Sequence, residues 1–502
     1  LSLGRLALAA GAALALCACA RSEANAPDPR TSTIPAAVTR ALPTPKPGPP
    51  WSPSDRERAR RTLADIFESD IVQTSSALAV VAEDGSTLFD HRATHPSTPA
   101  STLKLVVGAS ALDRLGPSHR FVTRFVASAP IDGDGTLRGD LYLVGGGDPT
   151  LVSDDLRRGV GALWRTGLRR IEGSVVVDDT AFAGPEQNPR WDPDDLTYDY
   201  AAGTSAISLD EDTIEFDVTP NADGGTASIV TVPANSYVAF YGAIGTGSYD
   251  TDVTIERHAA STNHNVLEYD LDGHIARGGM QSYYKPVVGI PQYVGSVVAT
   301  MLAQRGIALA GGFRVAAAPA DAAQLWSHPS PPLDAIVREM LVNSNNHTAE
   351  TLLRFLGESS GRAGTDASGI AFEKRVLSGL AVPRDSMALY DGSGLSPADR
   401  IMPLTLAKLI AAQTRGPLAG AFVADLPRVG LDGTVKHHDL HDALGRTRAK
   451  SGHIENVNGL AGTIATEHHG RVAFAFIVND PRANADVVTE EEDRALDAIA
   501  RM

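Results

Sequence analysis

Between about Phe121 and Ser330 the texture of the chain changes, and that change limits the folds open to it. Short apolar runs such as Leu141-Tyr142-Leu143-Val144 and Ser174-Val175-Val176-Val177 alternate there with Gly, Asp and Pro turns. That is the pattern of strands, with few helices. The flanks read differently. A helix from near Ser52-Pro53 places Ala59, Leu63, Ile66 and Phe67 on one face. Ser76–Ala82 is an apolar run of strand length, Asp84-Gly85 is a hairpin turn, and 86–90 is the return strand. Residues 103–115 read as a buried helix stopped by Gly116-Pro117. Beyond Pro331-Pro332, helical spacing returns at 333–342, 347–357 and 403–413. Strand-like runs follow at 447–450, 460–465 and 472–478, then a helix from about Glu490. No internal repeat is present. The pattern predicts an α+β domain made from the two ends of the chain, 56–118 and 331–502, interrupted by a β-rich insertion over 119–330. A chain of 502 residues has room for this, since domains run to roughly 100–200 residues each.

The N-terminus reads as an export signal over 1–20. Arg5 precedes residues 6–20, which carry no charge. That stretch is short for a bilayer span, which needs about 20 residues. Two endings fit. Leu16-Cys17-Ala18-Cys19 resembles a bacterial lipobox, with Cys19 acylated as the mature N-terminus. Ala18-Cys19-Ala20 is also a small-residue site for ordinary signal cleavage. Either ending puts the body outside the cytoplasm, in the periplasm or cell envelope, and the lipid anchor would be its one membrane contact. Pro27, Pro29, Pro35, Pro43, Pro45, Pro47, Pro49 and Pro50 then mark 21–55 as an extended tether.

The charge balance narrows the partners. Lys and Arg total 44 against 60 Asp and Glu, a net charge of −16. A nucleic-acid partner would call for basic patches. The two cysteines, Cys17 and Cys19, both lie in the signal segment, so the body has no disulfide, thiolate nucleophile or cysteine metal site.

Three short motifs carry chemistry. In Ser101-Thr102-Leu103-Lys104, a helix opening at Ser101 brings Lys104 to the same side one turn on. A partly desolvated lysine can take the serine proton, and a helix N-terminus offers N–H groups to an oxyanion. Alone, the motif fits a helix N-cap followed by a surface lysine better than a nucleophile and its base. Ser344-Asn345-Asn346 lies between two helices: Ser344 can relay a proton, and Asn346 can hold Lys104 and a substrate amide. Alone, it fits a capped helix-helix turn. Lys450-Ser451-Gly452 ends a strand-like run and suits a carboxylate lying beside the backbone, with Gly452 permitting close approach.

Taken together, the motifs match the combination found in penicillin-binding proteins and β-lactamases. The chain resembles the low-molecular-mass class C penicillin-binding proteins, the D-alanyl-D-alanine carboxypeptidase/endopeptidases. The likeness runs from about Ser76 to the C-terminus. Gly145-Gly146-Gly147-Asp148-Pro149-Thr150-Leu151, Trp191-Asp192-Pro193-Asp194-Asp195-Leu196, Ala349-Glu350, Asp391-Gly392-Ser393-Gly394-Leu395-Ser396, Asp432-Gly433-Thr434 and Leu460-Ala461-Gly462 support it. The long gap from Ser101 to Ser344 looks like the insertion of class C enzymes rather than a class A β-lactamase.

The resemblance implies a serine β-lactamase/transpeptidase fold, an antiparallel sheet with helices on both faces. It implies Ser101 as the acylated nucleophile, Lys104 as its base, and Ser344 and Asn346 as the rest of the proton network. Lys450, Ser451 and Gly452 would bind the terminal carboxylate of D-Ala. Backbone N–H groups of Ser101 and His453 would form the oxyanion hole. Glu186 aligns where relatives present an acid to the stem-peptide side chain. Substrates would be peptidoglycan stem peptides ending in D-Ala-D-Ala, β-lactams would be covalent inhibitors, and no metal or cofactor is needed. A β-lactamase or esterase on the same fold, or a non-catalytic wall-binding scaffold, are the rival readings.

The chain departs from the pattern at three places. Asn345 replaces the usual Asp, Ser451 replaces Thr, and His453 replaces Thr or Ser. His453 would add a group titrating near ~6–7 beside the cleft. His437, His438, Asp439, His441 and Asp442 resemble metal ligands by type and read as a solvated loop. The acidic stretch 191–217 reads as solvated loop bordering the cleft.

Overall fold

A computed structural model of the chain describes residues 49–502 except 69–74, 248, 259–265, 360, 380–386 and 483. The signal segment with Cys19, and the tether up to residue 48, lie outside the described residues.

The first and last strands of the chain share one antiparallel sheet. Its strands are β1 (Ser76–Ala82), β2 (Thr87–His91), β3 (Thr447–Ile454), β4 (Val457–Ala465) and β5 (Arg471–Asn479), in the order β3-β4-β5-β1-β2. Chain closure is made by β1 against β5, with Ala79 opposite Ala475. Side chains alternate across a strand. Leu78, Val80 and Ala82 pack with Ala59 and Leu63 of α1 (Pro53–Glu68) and with C-terminal residues Val488, Leu496 and Ile499. Ala79 and Val81 face the opposite side, where α2 (Lys104–Leu115), α3 (Leu333–Asn343), α4 (Asn346–Gly357) and α5 (Pro403–Gln413) lie. Both faces of β1 are covered, so it reads as unbroken apolar sequence rather than an alternation.

Residues between Phe125 and Ile307 form a separate apolar core. Around it lie a five-stranded sheet built on Leu141–Val144 and Val175–Asp178, a four-stranded sheet around Leu267–Ala276, and a three-stranded sheet around Thr213–Thr219. The segment is β-rich as expected. It also holds a right-sized crossover that the strand pattern masked. Leu141–Val144 and Val175–Asp178 pair in parallel, and the helix Ser153–Arg165 joins them, burying Leu156, Val160 and Leu163. Parallel neighbours require such a connection. The C-terminal helix α6 spans Ala485–Ala500, starting earlier than Glu490 because Asn484 caps it, its side chain accepting from Asp486 N at 2.9 Å. No helix among the described residues is long and apolar enough to cross a membrane.

Candidate active site

Ser101 sits in a 3-10 turn, Ala100–Leu103, that runs straight into α2. In a 3-10 turn residues three apart eclipse each other, which sets Lys104 directly over Ser101. The turn opens on Ala100 in the left-handed region, φ 46°. Gly394 is required beside it, since a Cβ there would collide with the Ala100 carbonyl.

The Lys104 ammonium reaches three oxygens: Ser101 Oγ at 2.8 Å, Asn346 Oδ1 at 2.6 Å and the Ser393 carbonyl at 2.8 Å. Asn346 is 242 positions from Lys104 in sequence, so these contacts are made by folding alone. Lys104 is fully buried. Burial pulls its amine down to about 7, while Asp391 and Glu350 pull the other way. Near neutral pH a substantial fraction of the amine is then unprotonated and able to accept the Ser101 proton.

Beneath this group lies a loop held by two acids. Glu350 accepts from Gly392 N at 3.1 Å and Ser393 N at 2.8 Å. Asp391 accepts from Gly394 N at 2.8 Å, Ser396 N at 2.7 Å and the Trp191 indole at 2.9 Å. The loop thereby aims the Ser393 carbonyl at Lys104. Burial, then Asp391, pushes Glu350 up to about 8. Glu350 is one helical turn from Asn346 on α4, so both face the site.

The third motif flanks the Ser101 turn. A Cβ on Gly452 would lie 2.8 Å from Pro99 O and 3.1 Å from Ser101 N. The Ser101 turn therefore packs directly against Gly452, where only a glycine leaves room for it. Ser451 Oγ is 2.7 Å from Thr434 Oγ1. Lys450 is fully buried and donates to Ser451 O at 2.7 Å. Among the described residues no carboxylate pairs with it. Burial and the nearby Lys104 hold its amine well below the ordinary lysine range.

Residues 60–502 match the D-Ala-D-Ala carboxypeptidase 3 (S13) family. The chain belongs to that family. A D-alanyl-D-alanine carboxypeptidase from an Actinomadura species is 28% identical over 457 residues, covering 86% of this chain and 83% of the relative. The D-alanyl-D-alanine carboxypeptidase DacB of Haemophilus influenzae is 24% identical over 434 residues, covering 83% and 89%. The crystal structure of penicillin-binding protein 4 (dacB) from Haemophilus influenzae superimposes with a TM-score of 0.75 at 21% identity, over 88% of this chain and 99% of that one. Its complex with a β-lactam gives 0.69 over 86% and 98%. The resemblance drawn from the three motifs is borne out for family and fold.

In this family member the remaining expected residues divide. Ser344 ends α3 in the left-handed region, φ 62°, two residues before Asn346, and makes none of the hydrogen bonds to Lys104. His453 stands at the exposed edge, its Nδ1 2.8 Å from Asn458 Oδ1 across the hairpin. Glu186 is placed otherwise than expected. Its two oxygens accept from Gly289 N at 2.8 Å and Ile290 N at 2.9 Å. It caps the helix Ile290–Gln304 rather than facing a ligand, because the orphan N–H groups of a helix start attract a carboxylate. The acidic stretch does border the site: Asn346 Nδ2 donates to Tyr200 O at 2.8 Å, and Trp191 is buried with Ala201 and Leu395. Among the described residues no His, Asp and Glu cluster could hold a metal, and His438 instead contacts Asp493 at 2.6 Å.

Trp191, Glu350, Asp391, Ser393 and Thr434 were part of quoted motifs but carried no expected role. A signal existed for Glu350: a carboxylate four positions, one helical turn, past Asn346. For Ser393 none existed, since it acts through its backbone.

Proposed function

We propose that this chain is a serine D-Ala-D-Ala carboxypeptidase acting on peptidoglycan stem peptides, with endopeptidase cleavage of the same acyl group as a second use. The observation that carries the reading is the 2.8 Å contact between the buried Lys104 amine and Ser101 Oγ. Neutral Lys104 takes the Ser101 proton as Oγ attacks the carbonyl carbon of the penultimate D-Ala. The C–N bond breaks, and the proton passes to the leaving amine through Lys104 and Ser344, releasing D-Ala. Water, deprotonated by the same network, then hydrolyses the ester and frees Ser101. Asn346 orients Lys104. The N–H groups of Ser101 and His453 receive the oxyanion. Lys450, a buried amine with no carboxylate partner among the described residues, would take up its charge as the terminal carboxylate of the substrate comes to pair with it, with Ser451 and Thr434 beside it.

A β-lactam presents its amide to the same nucleophile and would leave a penicilloyl ester on Ser101. Residues 56–118 and 331–502 would form the catalytic domain and 119–330 the inserted one. The body would work outside the cytoplasm, retained by a lipid on Cys19 or released by signal cleavage. The test is intact mass after incubation with benzylpenicillin, beside Ser101→Ala. A stable adduct on the wild type alone supports the proposal. An intact antibiotic with no adduct refutes it, and consumed antibiotic with no adduct points to a β-lactamase.

A further inference from the structure

Residues 427–435 run between the second and third motifs and touch both. On one side they line the edge of β3. Val429 N donates to Thr447 O at 3.2 Å, and Ala449 N donates to Pro427 O at 3.0 Å. Those bonds stop one residue short of Lys450. On the other side Gly433, in the left-handed region at φ 47°, lies so close to the last turn of α3 that a Cβ would collide with the Val342 carbonyl. Val342 stands two residues before Ser344.

The segment is also closed on itself. Asp432 Oδ2 accepts from Arg428 Nε at 2.8 Å and from Arg428 N at 3.0 Å, and Oδ1 accepts from Nη2 at 2.7 Å. A two-pronged pair of this kind fixes geometry as well as charge. Gly430 N donates to Val435 O at 2.8 Å, and Val435 is fully buried. Thr434 stands among these anchors on the 3-10 turn Gly433–Val435. Its Oγ1 lies 2.7 Å from Ser451 Oγ, 17 positions on. Both residues are half-buried, and among the described residues neither hydroxyl has another partner.

A hydroxyl has one proton to give and two lone pairs to receive with, whereas a carboxylate can only accept. Ser451 can therefore bond a carboxylate only if its own proton is not spent on Thr434. With Thr434 as donor, that proton is free. In the opposite sense Ser451 would turn a lone pair toward the carboxylate.

We propose that Thr434 is a positioning residue for recognition of the substrate's terminal carboxylate: it donates to Ser451 Oγ, so that the Ser451 proton is aimed at the carboxylate. The Arg428–Asp432 pair and Gly433 hold it in place. The proposal deepens the functional reading and rests on Lys450 and Ser451 receiving that carboxylate. It adds to the third motif a member from outside β3.

The experiment compares the rates at which benzylpenicillin and benzylpenicillin methyl ester acylate the wild type, Thr434→Val, Thr434→Ser, Ser451→Ala and the Thr434→Val, Ser451→Ala double variant. The methyl ester keeps the β-lactam amide and lacks the carboxylate charge. Thr434→Val is expected to lower the acid-to-ester rate ratio about tenfold, the scale of weakening a hydrogen bond to a charged group. Thr434→Ser keeps the hydroxyl and should keep the ratio. With Ser451→Ala already in place, Thr434→Val should lower the ratio no further, because the two act as one unit. Should Thr434→Val not fold, Thr434→Ala tests the same loss. A wild-type ratio without the Thr434 hydroxyl, an equal loss for acid and ester, a ratio for Thr434→Ser as low as for Thr434→Val, or a further fall in the double variant would overturn this inference alone. A wild type that reacts equally fast with acid and ester overturns the carboxylate site and the inference with it. A wild type that forms no adduct overturns the whole functional reading.

Discussion

Buried polar groups in the two large cores are put to different uses. In the segment between the chain ends several buried acids serve their own turns, and where Asp178 reaches farther, to Ala318 N 140 positions on, it again only holds a backbone N–H. Asp148 accepts from Thr150 two positions on, Asp178 from Thr180 two positions on, and Asp212 from Leu209 three positions back. In the body made by the chain ends, Lys104 reaches Asn346, and Glu350 reaches Ser393, which is 43 positions away. Local bonds of the first kind satisfy a turn and leave nothing to react. Long-range bonds of the second kind draw a lysine and several acids into one dry space, where amine and carboxyl pKa values move toward each other. That convergence equips a site for proton transfer. The segment between the chain ends enters this site at its margin, through Trp191 and Tyr200.

The comparison is broken most directly at Lys104. Lys104→Ala should lower acylation by about a hundred- to ten-thousandfold, the range for losing a positioned base, as read by adduct formation with benzylpenicillin. In the wild type the same rate should rise as pH climbs through about 7, because the neutral amine is the reactive form and it predominates above its pKa. The midpoint belongs to the cluster of Lys104 and Glu350 rather than to one group. A rate flat from pH 6 to 8 would contradict the role of the buried amine.

A smaller effect is expected at the contact between the third motif and the Ser101 turn. Gly452→Ala places a methyl group against Pro99 O and Ser101 N. It should destabilise the fold by roughly 1–3 kcal/mol in denaturant unfolding and slow acylation as well. Unchanged stability and rate would mean that the turn yields freely. The smallest effect sharpens the role of the inserted segment. Trp191→Phe removes the bond to Asp391 while Ser396 N still serves that carboxylate. The loss should be about 1 kcal/mol, and the Ser101 adduct should still form. Abolished acylation would instead make the inserted segment an essential part of the site.

Much of the site was legible in sequence, for reasons that differ by residue. Ser101 and Lys104 were legible because their motif stands with two others in the order of one family, and a serine and a lysine three apart at a helix start meet by local geometry. Lys450 was legible by its motif. Glu186 was misread because its sequence neighbourhood says nothing of the helix start it caps, which lies about a hundred positions downstream. The crossover helix Ser153–Arg165 was hidden among short strands, although Leu156, Val160 and Leu163 carried its period.

The sequence by itself determined the strands and helices of both chain ends, the β-rich texture of the segment between them, and the meeting of Ser101 with Lys104. Local propensity, hydrophobic period and one helical turn suffice for those. Tertiary structure alone decided that Ser393 would offer its carbonyl to Lys104, that Glu350 and Asp391 would hold the loop beneath it, and that Asn346 would meet Tyr200. Those contacts join residues far apart in the chain, and their strength comes from burial, a property that no residue has until the whole chain has folded around it.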